Sequence, residues 1–187
     1  QRIRKANIKL KPSKARIGFP AVEFLGHEVS QGEVKPMKSN IEKVCNIQPP
    51  RTKTGVRALC GAINFLRKYI PDCAGRLKPI TDLTSKTQPE QVKWGPKQQK
   101  ALDEVKQLLT TSPVLRLYDQ SRQHVLRTDA SDHSIGGVLL EEIDKELYPV
   151  MYMSRKLLDR ESRYPISQKE AMAVTWCIGK AYKYLYG

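Results

Sequence analysis

Leu126-Arg127-Thr128-Asp129-Ala130-Ser131, followed after a short turn by Ile135-Gly136-Gly137-Val138-Leu139-Leu140, is the stretch that decides how this chain folds. An acidic residue ends one predicted strand (Val125–Thr128), a turn follows, and a second strand (Gly137–Leu140) pairs back, which fixes a carboxylate on the surface of a sheet. Val150–Met153 continues the meander as a third strand. Tyr164-Pro165-Ile166-Ser167-Gln168-Lys169-Glu170 then opens a helix over Gln168–Tyr184. Its apolar positions Ala171, Val174, Ile178, Ala181 and Leu185 predict the face that covers the sheet. Glu170, four residues before Val174, leans toward that face and toward Asp129. Two facing carboxylates invite a divalent metal. A plainer reading stays open: Ser167-x-x-Glu170 also fits a capping box, and Asp129 also fits a cap on the turn at Ser131-Asp132.

Upstream, Val114–Leu117 reads as a short strand, preceded by a helix that Trp94-Gly95-Pro96 opens and Thr110–Pro113 closes. Ala101, Val105, Leu108 and Leu109 supply that helix with a buried stripe. Ser85–Pro89 is a polar linker, and a short helix is predicted over Leu77–Leu83. Thr52 is placed as the N-cap of a longer helix that runs to Ile70 and stops at Pro71. Its apolar residues Val56, Leu59, Cys60, Ile63, Leu66 and Ile70 keep helical spacing. Another short helix is predicted over Ser39–Cys45. Before Pro36, Phe24–Val29 and Val34-Lys35 predict a hairpin around Ser30-Gln31-Gly32-Glu33. Ile8–Lys11 and Arg16–Phe19 carry further short strand signals. Hairpin and helices thus precede a three-strand meander and a helix, which makes the chain α+β.

The 187 residues carry a formal net charge of +14. Residues 1–80 hold 17 Lys+Arg against 5 Asp+Glu, a net +12, so the basic surface sits in the first half. A charge so large and so placed predicts an anionic partner, nucleic acid before an acidic membrane. No apolar run approaches the length of a membrane span, and the start Gln1-Arg2-Ile3-Arg4-Lys5 lacks the apolar core of a secretory signal. Cys45, Cys60, Cys73 and Cys177 are scattered, which argues against a metal finger and for reduced thiols in an intracellular protein, cytoplasmic or nuclear.

Thr128-Asp129-Ala130-Ser131, Gly136-Gly137-Val138-Leu139, Met153-Ser154-Arg155-Lys156-Leu157 and Tyr164-Pro165…Glu170…Tyr184-Leu185-Tyr186-Gly187 together resemble the ribonuclease H domain of Ty3/gypsy-type retrotransposon reverse transcriptases. Phe24-Leu25-Gly26-His27-Glu28-Val29 looks like the family's primer-grip hairpin. Leu59 through Pro71 looks like its thumb helix, and Trp94, Ala101, Leu102 and Pro113-Val114-Leu115 resemble the stretch joining thumb to nuclease. The resemblance implies the end of the palm with its hairpin over 1–35, a helical thumb over 36–88, and a connecting helix and strand over 89–120. The N-terminal half of a ribonuclease H-like domain follows over 121–187, a partial sheet of three antiparallel strands with a covering helix.

The resemblance also implies roles. Leu25, Gly26, His27 and Glu28 would hold a primer end. Arg57, Gly61 and Phe65, four apart on one helix face, would let the backbone approach the minor groove of a duplex, with Asn64 beside them. Lys53, Arg57, Arg67, Lys68 and Arg155 would meet nucleic acid at its phosphates. Asp129 and Glu170 would be catalytic residues and ligands of Mg2+. The family's Tyr-x-Asp-Asp turn is missing from this sequence, and the family's two further nuclease carboxylates lie beyond the Tyr-Leu-Tyr-Gly stretch. The expectation is a fragment that grips an RNA/DNA hybrid or duplex without efficient catalysis of its own. The alternatives are a retroelement piece kept by a host as a protein-interaction module, and a ribonuclease H completed by another chain. In the family fold a fourth strand pairs with that of Asp129, so an open sheet edge is expected here, suited to a homodimer or a partner chain.

Overall fold

A computed structural model describes residues 5, 7, 9, 11, 15, 17–111 and 114–186. The strand expected over Ile8–Lys11 falls largely outside them, as do Pro113 and Gly187. Ile17–Phe19, the described part of the next expected strand, is not in a strand: with Gly18 at φ 74° the chain cannot stay extended there.

β1 (Ala21–Phe24), β2 (His27–Ser30) and β3 (Glu33–Pro36) form an antiparallel meander. Phe24–Val29 is therefore not one strand. Phe24 pairs with His27 across a two-residue turn, Leu25-Gly26, in which both residues have positive φ (46° and 79°). That conformation suits tight hairpins and suits glycine, but for Leu25 it costs of order 1 kcal/mol.

α1 (Lys38–Cys45) follows, then α2 (Lys53–Phe65), whose start is fixed by the Thr52 hydroxyl accepting from the Gly55 amide at 3.1 Å. Val56, Leu59, Ile63 and Leu66 are fully buried on its inner face. Each such side chain contributes about 1.5–3 kcal/mol on leaving water. α2 ends at Phe65 rather than Ile70, because the chain tightens into a 3-10 turn over Arg67–Tyr69 that turns both Tyr69 and Ile70 inward. A four-residue α3 (Cys73–Arg76) precedes the region expected to be a single helix, Leu77–Leu83, which is split into α4 (Lys78–Thr81) and a 3-10 turn over Asp82–Thr84. Pro79, near the start of α4, has no amide to donate to an uninterrupted helix. α5 (Pro96–Thr110) buries Ala101, Leu102, Val105 and Leu109 in the same core as α1 to α4. β4 (Leu115–Arg116) does not join the later meander. It pairs with β3, putting Leu115 opposite Val34, and closes a four-stranded sheet in the order β1-β2-β3-β4.

The second sheet is β5 (His124–Ala130), β6 (Ser134–Ile143) and β7 (Glu146–Lys156), antiparallel throughout and in that order. α6 (Ile166–Leu185) packs on β5 and β6. Its buried face is Lys169, Ala173, Cys177 and Ala181, so the face predicted from sequence is rotated. Ala171, Val174, Ile178 and Leu185 are exposed, and only Ala181 of that set is buried. The reason is close approach: a methyl group added at Gly137 on β6 would lie 3.0 Å from the Cys177 sulfur, leaving room beneath α6 only for small side chains. The capping box at Ser167 does not form, since Pro165 occupies the N-cap without a side-chain hydrogen bond.

The two sheets are fastened through the helical segment. Arg67 donates to the Ser154 carbonyl, the Ala74 amide donates to the Ser154 hydroxyl at 3.0 Å, and the Ser134 hydroxyl donates to Asp72 at 2.9 Å. Lys156 on β7 pairs with Asp82 at 2.6 Å. Among the described residues no helix is long and apolar enough to cross a membrane.

Candidate nucleic-acid interface

The β1–β2 hairpin tip sits on the end of α2. His27 stacks on Phe65 with ring centroids 5.2 Å apart and planes within 5°, and its Nδ1 lies 3.0 Å from the Tyr69 hydroxyl. The Gly26 carbonyl accepts from Asn40 Nδ2 at 3.1 Å and from the Met37 amide at 3.2 Å. Gly26 is the residue that lets the tip approach: a Cβ there would lie 2.7 Å from Phe65 Cζ. Burial, and secondarily the nearby Lys68 ammonium, lower the His27 pKa from its ordinary 6.5, which favours the neutral ring. Asn40 and Tyr69 do not stand out in the sequence. The i,i+4 pair Phe65 and Tyr69 is the signal by which an aromatic clamp could have been found.

Beside this clamp, the outer face of α2 is open. Arg57, Gly61, Asn64 and Phe65 are exposed, and a Cβ on Gly61 would meet nothing within 4 Å. Leu25 projects at the same end and is 75% exposed. Glu28 is exposed and pairs across the hairpin with Glu23 and Lys35.

The other cations expected at phosphates are placed differently. Lys53 is buried at the start of α2, its stem packed where an exposed charge would be needed. Arg67 is engaged by the Ser154 carbonyl. Arg155 forms a two-pronged pair with Glu161 at 2.6 and 3.0 Å and lies over the Trp176 ring, so it closes the second sheet's own core. Its guanidinium holds the Glu161 carboxyl below the usual carboxylate range. Lys68 is half-buried over the Tyr69 ring, and burial lowers its pKa. Arg57 remains the open charge of the expected set on α2.

Asp129 is the penultimate residue of β5, exposed and opposite Gly136. It does not cap the turn: the Ser131 hydroxyl does that, accepting from the His133 and Ser134 amides at 3.3 and 2.9 Å. Leu126 and Ala130 pack beneath α6, so strand alternation puts Asp129 on the opposite side, where it lines a recess of about 240 Å³. Asp72, Ser131, Ser134 and Tyr152 share that recess. Glu170, half-buried in the first turn of α6, does not. Among the described residues, no three His, Cys, Asp or Glu side chains gather in a group that could hold a metal.

Residues 94–187 match the family model described as the RNase H-like domain found in reverse transcriptase. The Tf2-3 and Tf2-4 transposon polyproteins of Schizosaccharomyces pombe are each 34% identical to this chain over 175 residues, which is 93% of the chain and 13% of the polyprotein. The chain therefore spans about an eighth of the curated relatives it matches. In three dimensions it is similar to the foamy viral protease-reverse transcriptase. The structure of that protein in complex with an RNA/DNA hybrid superposes with a TM-score of 0.76 at 23% identity, covering 90% of this chain and 23% of that one. A dRH form in complex with double-stranded DNA gives 0.77 at 23%, covering 89% and 29%.

Proposed function

The chain belongs to the family of RNase H-like domains found in reverse transcriptases, and from that membership we propose that its hairpin and α2 surface grip a template–primer duplex. On this reading residues 1–35 carry the primer-grip hairpin, 36–88 the thumb, 89–120 the connection and 121–187 the first half of the nuclease fold, in an intracellular setting, cytoplasmic or nuclear. The observation that carries it is the empty space over Gly61, flanked by exposed Arg57 and Phe65. A helix with no side chain at its outermost point lets backbone approach backbone, with a cation for phosphate and a ring for sugar or base. The foamy viral protein is described with double-stranded DNA and with RNA/DNA hybrid bound, which supports either duplex as ligand.

Ribonuclease H chemistry would use Mg2+ at Asp129 and Glu170. The residues present do not make such a centre unaided: among the described residues no three His, Cys, Asp or Glu side chains gather, and Glu170 does not line the recess that Asp129 lines. The function proposed is therefore binding without efficient cleavage by this chain alone. The test is an anisotropy titration of a labelled RNA/DNA hybrid, with a parallel cleavage assay in magnesium beside Asp129→Asn. Binding without cleavage is expected. Cleavage that disappears in Asp129→Asn contradicts the catalytic half, and absence of binding contradicts the whole.

A protein-interaction role is the second reading, favoured by the exposed Val174, Ile178 and Tyr182 on α6. A stable dimer or partner complex combined with no affinity for duplex would replace the first reading by this one.

A further inference from the structure

We propose that His27 acts as a positioning residue, which fastens the hairpin tip to α2 so that Leu25 is the side chain the tip presents to the duplex. This inference rests on the duplex-gripping reading. His27 is held on two sides: Phe65 stacks on its ring, the Tyr69 hydroxyl reaches its Nδ1, and a tilted contact to the Tyr69 ring has centroids 5.7 Å apart. The neighbouring Gly26 carbonyl is held twice more from α1 and its N-cap. A side chain engaged this way is oriented by the protein itself, which suits a positioning role.

Leu25 is the reverse case. It holds a left-handed conformation uncommon for residues other than glycine, and it remains 75% exposed there. Strain without burial within the protein points to a surface completed by something else. Because Phe65 belongs both to the clamp and to the exposed α2 face, the hairpin and α2 are one body there: moving the tip moves the wall of the proposed groove.

The experiment combines hydrogen exchange on the free protein with hybrid-binding titrations of His27→Ala, His27→Phe, Leu25→Ala and the Leu25/His27 double alanine variant. In His27→Ala, the β1–β2 amides are expected to exchange faster while α2 stays protected, and affinity is expected to fall about tenfold, the scale of removing one anchor. His27→Phe, which keeps a ring over Phe65, should recover most of both. Leu25→Ala should cost about as much affinity without loosening the hairpin, and the double variant should be little worse than His27→Ala alone. Unchanged hairpin protection in His27→Ala, or fully additive losses in the double variant, would overturn the inference. If the wild-type chain fails to bind hybrid at all, the duplex-gripping reading falls, while the exchange data still decide whether His27 fastens the tip.

Discussion

Placing a methyl group on Gly61 separates folding from binding. The position is helical and open, so Gly61→Ala removes backbone freedom from the unfolded chain without a clash, and should raise stability by about 0.4–1 kcal/mol. The same methyl stands where a duplex would approach, so affinity for hybrid should drop. Thermal unfolding and anisotropy on one preparation check both signs. His27 gives a second residue-scale prediction. The docked ring has a lowered pKa, so the unfolded or undocked state binds the proton more readily. The stabilisation is full above the ordinary value of 6.5 and is lost as pH falls through the lowered one. Of the charged and titratable groups facing the ring, Lys68 and Tyr69 lie on the 3-10 turn, and Lys68 opposes the protonated form. Protection factors of the hairpin amides, with the intrinsic slowing of exchange toward acid divided out, should fall between pH 7 and pH 5, and should not do so in His27→Phe. An equal fall in both would assign the effect elsewhere.

Elements were legible where pattern and packing agree. Thr52 reads as a cap from its place before an apolar run, and it is one. Thr52→Ala should cost about 1 kcal/mol by denaturant melt, with the slope unchanged. The β5–β7 meander was equally plain, because Ile135 and Leu139 on β6 alternate inward under α6. The faces of α6 were not, since hydrophobicity alone cannot tell a face turned to a sheet from an apolar face left bare. Val174 and Ile178 carry the stronger signal yet stand in solvent, while Ala173 and Cys177 fit the tight space over Gly137. Leu25-Gly26 was hidden for a related reason: Phe-Leu-Gly-His reads as continuous strand unless the glycine is taken as a turn. The family kinship was legible, carried by the order of Thr128-Asp129-Ala130-Ser131, Ser154-Arg155-Lys156-Leu157 and Glu170 rather than by any one of them. How the cations are used was less so. Nothing local to Arg67 or Arg155 says that one will reach the Ser154 carbonyl, 87 residues away along the chain, or that the other will pair with Glu161.

At the scale of the whole molecule, Ser154 is one of the points at which the helical segment and the second sheet meet. It is 2% exposed, its carbonyl accepts from Arg67, and its hydroxyl accepts from the Ala74 amide. Ser154→Ala strands that amide and should lower the denaturation midpoint by the equivalent of about 1–3 kcal/mol. A value near zero would mean that the two halves are held by other interactions, such as Ser134 to Asp72 and Lys156 to Asp82. Because the halves are joined this way, the α2 face and the second sheet would, on the proposed reading, sit in a fixed relation along a bound duplex. On the same reading the basic first half would supply the long-range attraction to that duplex, and the open Arg57 beside Gly61 a local cation. The most direct test is the dependence of hybrid affinity on potassium chloride for wild type and Arg57→Gln. We predict a steep fall of log affinity with log salt for the wild type. In the variant the slope should be shallower by about 0.9, because one phosphate is no longer neutralised. A wild-type affinity independent of salt, or identical slopes in the two proteins, would contradict the assignment of α2 as the surface that grips the duplex.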